Sequence, residues 1–98
     1  MFVRIIKTYR DIIAICDSNL LGKKFEEGAF QLDVKENFFK GQKTSEKELI
    51  EIIKNELTED ATFNIIGEKS VNVALKIGVI SKDEIKKIQG IPFVLILN

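Results

Sequence analysis

Apolar and polar side chains alternate over residues 2–8, with Phe2, Arg4 and Ile6 on one face and Val3, Ile5 and Lys7 on the other. A period of two predicts a β-strand, and two partly apolar faces predict one that is not a fully exposed edge. Tyr9-Arg10-Asp11 reads as a tight turn into a second strand, Ile12–Cys16, so the chain opens on a hairpin. Asp17-Ser18-Asn19 halts that strand, and each of the three suits the N-cap of a short helical turn over residues 20–25, which Gly28 closes. Over residues 29–35 the period of two returns, with Phe30, Leu32 and Val34 on one face and Ala29, Gln31, Asp33 and Lys35 on the other. Phe38-Phe39, followed by Lys40-Gly41-Gln42-Lys43, reads as a loop whose two rings could stack on bases, with the favoured alternative that they fold over the sheet edge as a lid on the core.

Ser45-Glu46-Lys47-Glu48 is a capping box, in which serine and the glutamate three residues on satisfy each other's free N–H groups. Leu49, Ile50, Ile52, Ile53 and Leu57 then form one helical stripe, which predicts a helix to residue 56 or 57. Residues 61–66 form a β-rich run, Gly67 a hinge, and Glu68 begins an amphipathic helix with Gly78 just past its end. Ser81-Lys82-Asp83-Glu84 is a second capping box and predicts a short helix through Ile88, broken by Gly90. Residues 91–97 are almost continuously apolar, as in a central strand, with Pro92 confined to its start. The pattern predicts one α+β domain over residues 1–98. It has a small mixed, mostly antiparallel sheet of about five strands, two main helices on one face and a C-terminal β-α-β unit.

Composition narrows the function. Apolar residues at 45% and charged residues at 31% match a globular protein with one modest core. The net charge is zero, so no global field draws the chain to nucleic acid or to anionic lipid, and neither a DNA nor a membrane partner is expected. Charge is uneven, however: residues 1–43 carry eight basic and six acidic groups, residues 44–67 two and six, and residues 68–98 five and three. An opening run of Met-Phe-Val-Arg-Ile-Ile-Lys is not a signal peptide, and no apolar run reaches the ~20 residues of a membrane span, which predicts a cytoplasmic protein. Lysine at 13 residues against two arginines, with abundant glutamate and isoleucine, is a habit of thermophile proteins.

Reactive chemistry is sparse. The chain has no histidine and one cysteine, so no disulfide, no Ser/His or Cys/His pair and no metal site is expected, and Cys16 reads as a core thiol. The paired carboxylates Glu26-Glu27 and Glu59-Asp60 lie in turns without the burial that acid catalysis requires. Gly67-Glu68-Lys69-Ser70 echoes the end of a phosphate-binding loop, but Thr62 replaces its first glycine and Glu68 separates Gly67 from Lys69. The same stretch departs from an RNA-clamping Gly-x-x-Gly loop, because Ser70 stands at the second glycine. A small-molecule site at this helix start would hold an anion, unless the Glu68 carboxylate takes its place. Gly22-Lys23-Lys24 and the lysines around Phe38-Phe39 remain as groups able to meet a phosphate backbone.

These residues also carry a resemblance. Cys16-Asp17 with Leu20-Leu21-Gly22-Lys23, Asn64-Ile65-Ile66-Gly67-Glu68, Ala74 with Gly78-Val79-Ile80, and Gly90-Ile91-Pro92 resemble a family of short archaeal proteins, domain of unknown function 424. In that family a histidine typically follows the proline. Phe93 stands there in this chain, so chemistry assigned to that histidine does not extend to it. The resemblance implies an archaeal, cytoplasmic α+β protein without an established activity, and the family's loose association with translation genes implies contact with RNA or the ribosome.

The expectation is a non-enzymatic module without a cofactor. It would touch ribosomal RNA or a translation factor through Lys23, Lys24, Lys40, Lys43 and Lys69. The alternative is a protein–protein adaptor or small homodimer, using an exposed strand edge or the acidic helix that starts at Ser45.

Overall fold

The computed structural model describes residues 1–97. Strands β1 (Phe2–Ile6) and β2 (Ile12–Cys16) form the opening hairpin, with Val3 opposite Ile15 and Ile5 opposite Ile13. β3 (Lys24–Glu27) and β4 (Phe30–Asp33) form a separate two-stranded hairpin. A single helical turn, α1 (Glu36–Phe39), leads to the two-residue strand β5 (Gln42–Lys43). α2 (Glu46–Leu57), β6 (Thr62–Ile66) and α3 (Glu68–Lys76) follow, and β7 (Lys86–Ile88) and β8 (Ile91–Ile96) end the described chain. The main sheet has the order β5-β1-β2-β6-β8-β7. Among the described residues only β2 and β6 pair in parallel; the other neighbours run antiparallel. The fold class is mixed α+β, as the pattern predicts.

Alternation along the strands gives the sheet two apolar faces. Val3, Ile13, Ile15, Phe63, Ile65 and Val94 pack beneath α2 and α3, which contribute Leu49, Ile53, Val71 and Ala74. The Ser45–Glu48 box starts α2 as predicted: the Glu48 N–H donates to Ser45 Oγ at 3.2 Å and the Ser45 N–H to Glu48 Oε1 at 3.0 Å. The opposite face, with Ala14, Cys16, Ile66 and Ile88, is covered by Leu20 from the turn after β2, by Leu32 and Val34 on and just past the small hairpin, and by Phe39 of α1. Cys16 is fully buried there, and burial, followed by the nearby Asp17 charge, pushes its thiol up to about 11. The sheet is therefore the middle of three layers.

Three segments differ from the pattern. Residues 18–20 make the helical turn, but Lys24–Glu27 is strand, because Phe25 pairs across from Leu32 on the hairpin. Phe38-Phe39 belongs to α1, not to a loop. Its lid role is present, since Phe39 is buried and Phe38 packs edge-on to it at 5.1 Å. The second box starts only a 3-10 turn, Lys82–Glu84, and Lys86–Ile88 is a strand instead of helix. Its reason lies downstream: Gln89 (φ 52°) and Gly90 (φ 76°) form a two-residue hairpin turn, which pairs Ile88 with Ile91. β8 lies between β6 and β7 and is antiparallel to both, so β6 and β7 run parallel without pairing, and the C-terminal β-α-β unit (β6, α3, β7) is split by the last described strand.

Candidate functional site

β2 and β6 are parallel neighbours, so Cys16 and Ile66 finish side by side. The carboxyl ends of adjacent parallel strands are where α/β proteins tend to build sites. The chain leaving β2 is fixed there by Asp17, whose N–H donates to the Ile66 carbonyl at 3.0 Å. The chain leaving β6 turns at Gly67 (φ 112°, ψ 154°) directly into α3. Only glycine occupies such a conformation without strain. Space requires it as well: a Cβ at residue 67 would meet the Asp17 carboxylate oxygens at 2.6 and 2.7 Å.

α3 has no side-chain cap from its own Ncap residue. Asp17 supplies it from 52 residues away. Its Oδ2 accepts from the Lys69 N–H at 3.0 Å, and Oδ1 accepts from the Ser70 N–H at 2.8 Å and the Ser70 hydroxyl at 2.7 Å. Asp17 is 6% exposed and Ser70 fully buried, so the carboxylate is held by the helix start and not by water. A helix N-terminus carries partial positive charge, which suits this buried anion. The anion expected at the Gly67 helix start is thus part of the chain itself. It comes from Asp17, whereas Glu68, the anticipated occupant, is exposed.

Pro92 completes the arrangement. The Gly67 N–H donates to the Pro92 carbonyl at 2.8 Å, while the Gly67 carbonyl accepts from the Val71 N–H at 2.9 Å as the first bond of α3. A proline inside a sheet usually costs a ladder bond. Here the carbonyl that a residue-92 N–H would have sought is already engaged by the helix, so proline is tolerated in an interior strand.

Beside the cap lies a cavity of about 290 Å³ lined by Met1, Asp17, Ser18, Asn19, Glu68 and Lys69. The Ser18 hydroxyl is buried against it without a hydrogen-bond partner among the described residues. No group of three or more His, Cys, Asp or Glu side chains among the described residues is placed to hold a metal.

Of the lysines singled out in the sequence, Lys69 lines this cavity and is exposed. Lys43, on β5, lies opposite Phe2, and the N–H of its neighbour Thr44 donates to the Met1 carbonyl at 2.8 Å. Lys40 caps α1 through its N–H to Glu36, and its carbonyl accepts from the Arg4 guanidinium at 3.4 Å. Lys23 accepts through its carbonyl from the Val34 N–H, and Lys24 stands 3.9 Å from Glu26 in an exposed pair. Glu36 also approaches Gly22, which links the Lys23 turn to α1. A chain of contacts therefore runs from the Gly22 turn through α1 and β5 to the cavity at Asp17.

The motif residues separate into two groups. Asp17, Gly67, Glu68 and Pro92 converge on the start of α3. Gly22 and Gly90 occupy turns, and Asn64 sits half-buried in mid-strand, opposite Ala14 and Leu95. Ser70 escaped the sequence reading as a partner of Asp17. The available signal was a helix start at Gly67 with no Ser, Thr, Asp or Asn to cap it.

A six-stranded mixed sheet with a remote aspartate sealing the helix start defines a small α+β protein. The chain belongs to the family described as protein of unknown function DUF424, which it matches over residues 6–98. It is similar to an uncharacterised conserved protein from Methanopyrus kandleri, with 26% identity and a TM-score of 0.85, over 98% of this chain and 90% of that one. No curated protein matches it. No helix among the described residues is long and apolar enough to cross a membrane.

Proposed function

We propose that this protein is a non-enzymatic binding module that contacts RNA phosphates in the translation apparatus of an archaeon, on ribosomal RNA or beside a translation factor. The observation that carries the reading is the corner formed by the Gly22 turn, α1, β5 and the start of α3. It offers Lys23, Lys24, Lys40, Lys43 and Lys69 as exposed cations, of which only Lys24 makes an ion pair among the described residues. Asp17 supports it from the other side: with the helix start already filled, a small anion has no vacant nest there, and contact falls to flexible surface ammonium groups. Such contacts position a protein on a phosphate backbone without reading sequence.

The test is association with ribosomal fractions from an archaeal host across a salt series, with and without nuclease. Each phosphate contact contributes roughly 0.7–0.9 to the slope of log affinity against log salt, so Lys23→Glu with Lys24→Glu should flatten it by about 1.5. An unchanged slope in the double variant, or association that survives nuclease, overturns the reading.

A further inference from the structure

The outer border of β8 is guarded along only part of its length. β7 lies beside it as far as Phe93, which faces Lys86. The Gly67 bond to Pro92 fixes the direction of the backbone groups: even-numbered residues of β8 address β6 and odd-numbered ones address the outer border. Ile91 and Phe93 thus bond to β7. The N–H and carbonyl of Leu95 point outward, where no strand continues among the described residues.

Side chains add to this. Phe93, Leu95 and Leu97 follow one another on the hairpin side of the sheet, with Leu95 52% and Leu97 71% exposed. Past Phe93 the strip enters a cavity of about 220 Å³ that Phe30, Ile88 and Phe93 line with Glu27, Lys86 and Lys87, and Phe30 is itself 73% exposed. Single exposed apolar residues are ordinary, but a continuous strip beside unmatched backbone groups is a template for another strand.

We propose that this border is a docking groove for an extended segment of another protein, which adds a strand beside residues 95–97, seats an apolar side chain against Phe30 and Phe93, and places carboxylates on Lys86 and Lys87. Charge selects the occupant. Lys86 and Lys87 are exposed and make no ion pair among the described residues, whereas the Glu27 carboxylate already accepts from the Gln89 N–H at 2.8 Å. A second copy meeting border to border would share only this short stretch, well under the roughly 800 Å² per partner of a stable dimer. Main-chain bonds along the border would supply affinity, and the cavity with its two lysines would supply specificity. The proposal is independent of RNA contact, because neither lysine belongs to the corner described above.

The experiment uses two fluorescein-labelled synthetic peptides, one alternating valine with glutamate and one alternating valine with lysine. Each is titrated by anisotropy into the full chain, the Leu95→Lys/Leu97→Lys variant and the Lys86→Glu/Lys87→Glu variant. All four positions are exposed, and circular dichroism verifies that both variants are folded. The glutamate peptide should bind saturably to the unaltered protein, lose at least about tenfold in affinity with the leucine variant, and yield to the lysine peptide in the charge-reversed variant. Absence of binding, equal binding of both peptides, or a dimer that Leu95→Lys/Leu97→Lys dissociates would each overturn the proposal.

Discussion

Replacing Asp17 by alanine removes one side chain and strands three donors. Two of them, the Ser70 N–H and hydroxyl, belong to a fully buried residue that water does not reach. The third, the Lys69 N–H, sits on an exposed residue and can turn to solvent. A hydrogen bond to a charged acceptor contributes about 1.5–3 kcal/mol, a buried donor left alone costs about 1–3 kcal/mol, and these terms overlap. An ordinary N-cap replacement costs about 1–2 kcal/mol. Burial places Asp17→Ala above that range, at about 3–5 kcal/mol out of a total stability of about 5–15. For a domain of this size each kcal/mol lowers the melting temperature by about 4–8 °C, so a fall of about 12–40 °C is expected. Calorimetry and guanidinium titration measure it. Asp17→Asn should fall between, since its oxygen still serves Ser70 while its amide turns a donor toward the Lys69 N–H. In a cycle with Ser70→Ala the double variant should cost less than the sum of the singles by about 1–2 kcal/mol. A loss under about 1 kcal/mol for Asp17→Ala, with strictly additive partners, would refute the remote cap.

Two further outcomes follow from neighbouring positions. Gly67→Ala should destabilise by at least about 1–3 kcal/mol from backbone strain alone, with more from displacing the Asp17 carboxylate; chemical denaturation checks it, and a neutral result contradicts the close approach. Cys16 should resist Ellman's reagent at pH 8 until the protein unfolds. Because its folded thiol titrates near 11 against an ordinary 9.0, the unfolded chain gives up that proton first, and stability should decline as pH rises between those values.

Much of the fold was legible because its signals are local. The opening hairpin, the boxed start of α2 and the strand–Gly67–helix run each announce themselves within a dozen residues. What escaped depends on distant pairing. Asp17 looked like a cap for the turn that follows it, yet it serves a helix 52 residues on, which follows only once β2 and β6 are known to be neighbours. Residues 86–88 looked helical because the Ser81 box is genuine. The decisive feature was the Gln89-Gly90 turn, whose first residue is an uncommon one for positive φ. Phe30 was placed inward by alternation with Leu32, but at the hairpin's tip it overhangs the sheet and stays in the open. The candidate site shows the same division: the lysines were visible as types, whereas their arrangement around α1 and β5 was not.

The bond between Gly67 and Pro92 has a consequence for how the molecule comes into being. A chain emerging from the ribosome exposes β6, with Phe63, Ile65 and Ile66, well before residues 91–96 have been made. Until they arrive, the middle of the sheet is a raw margin and the Gly67 N–H has no carbonyl to meet, although Asp17 is already at hand for the start of α3. Such long-range closure is slow compared with local hairpin or helix formation. The nascent protein must therefore wait, unfinished and sticky at its centre, for β8 to be laid into place.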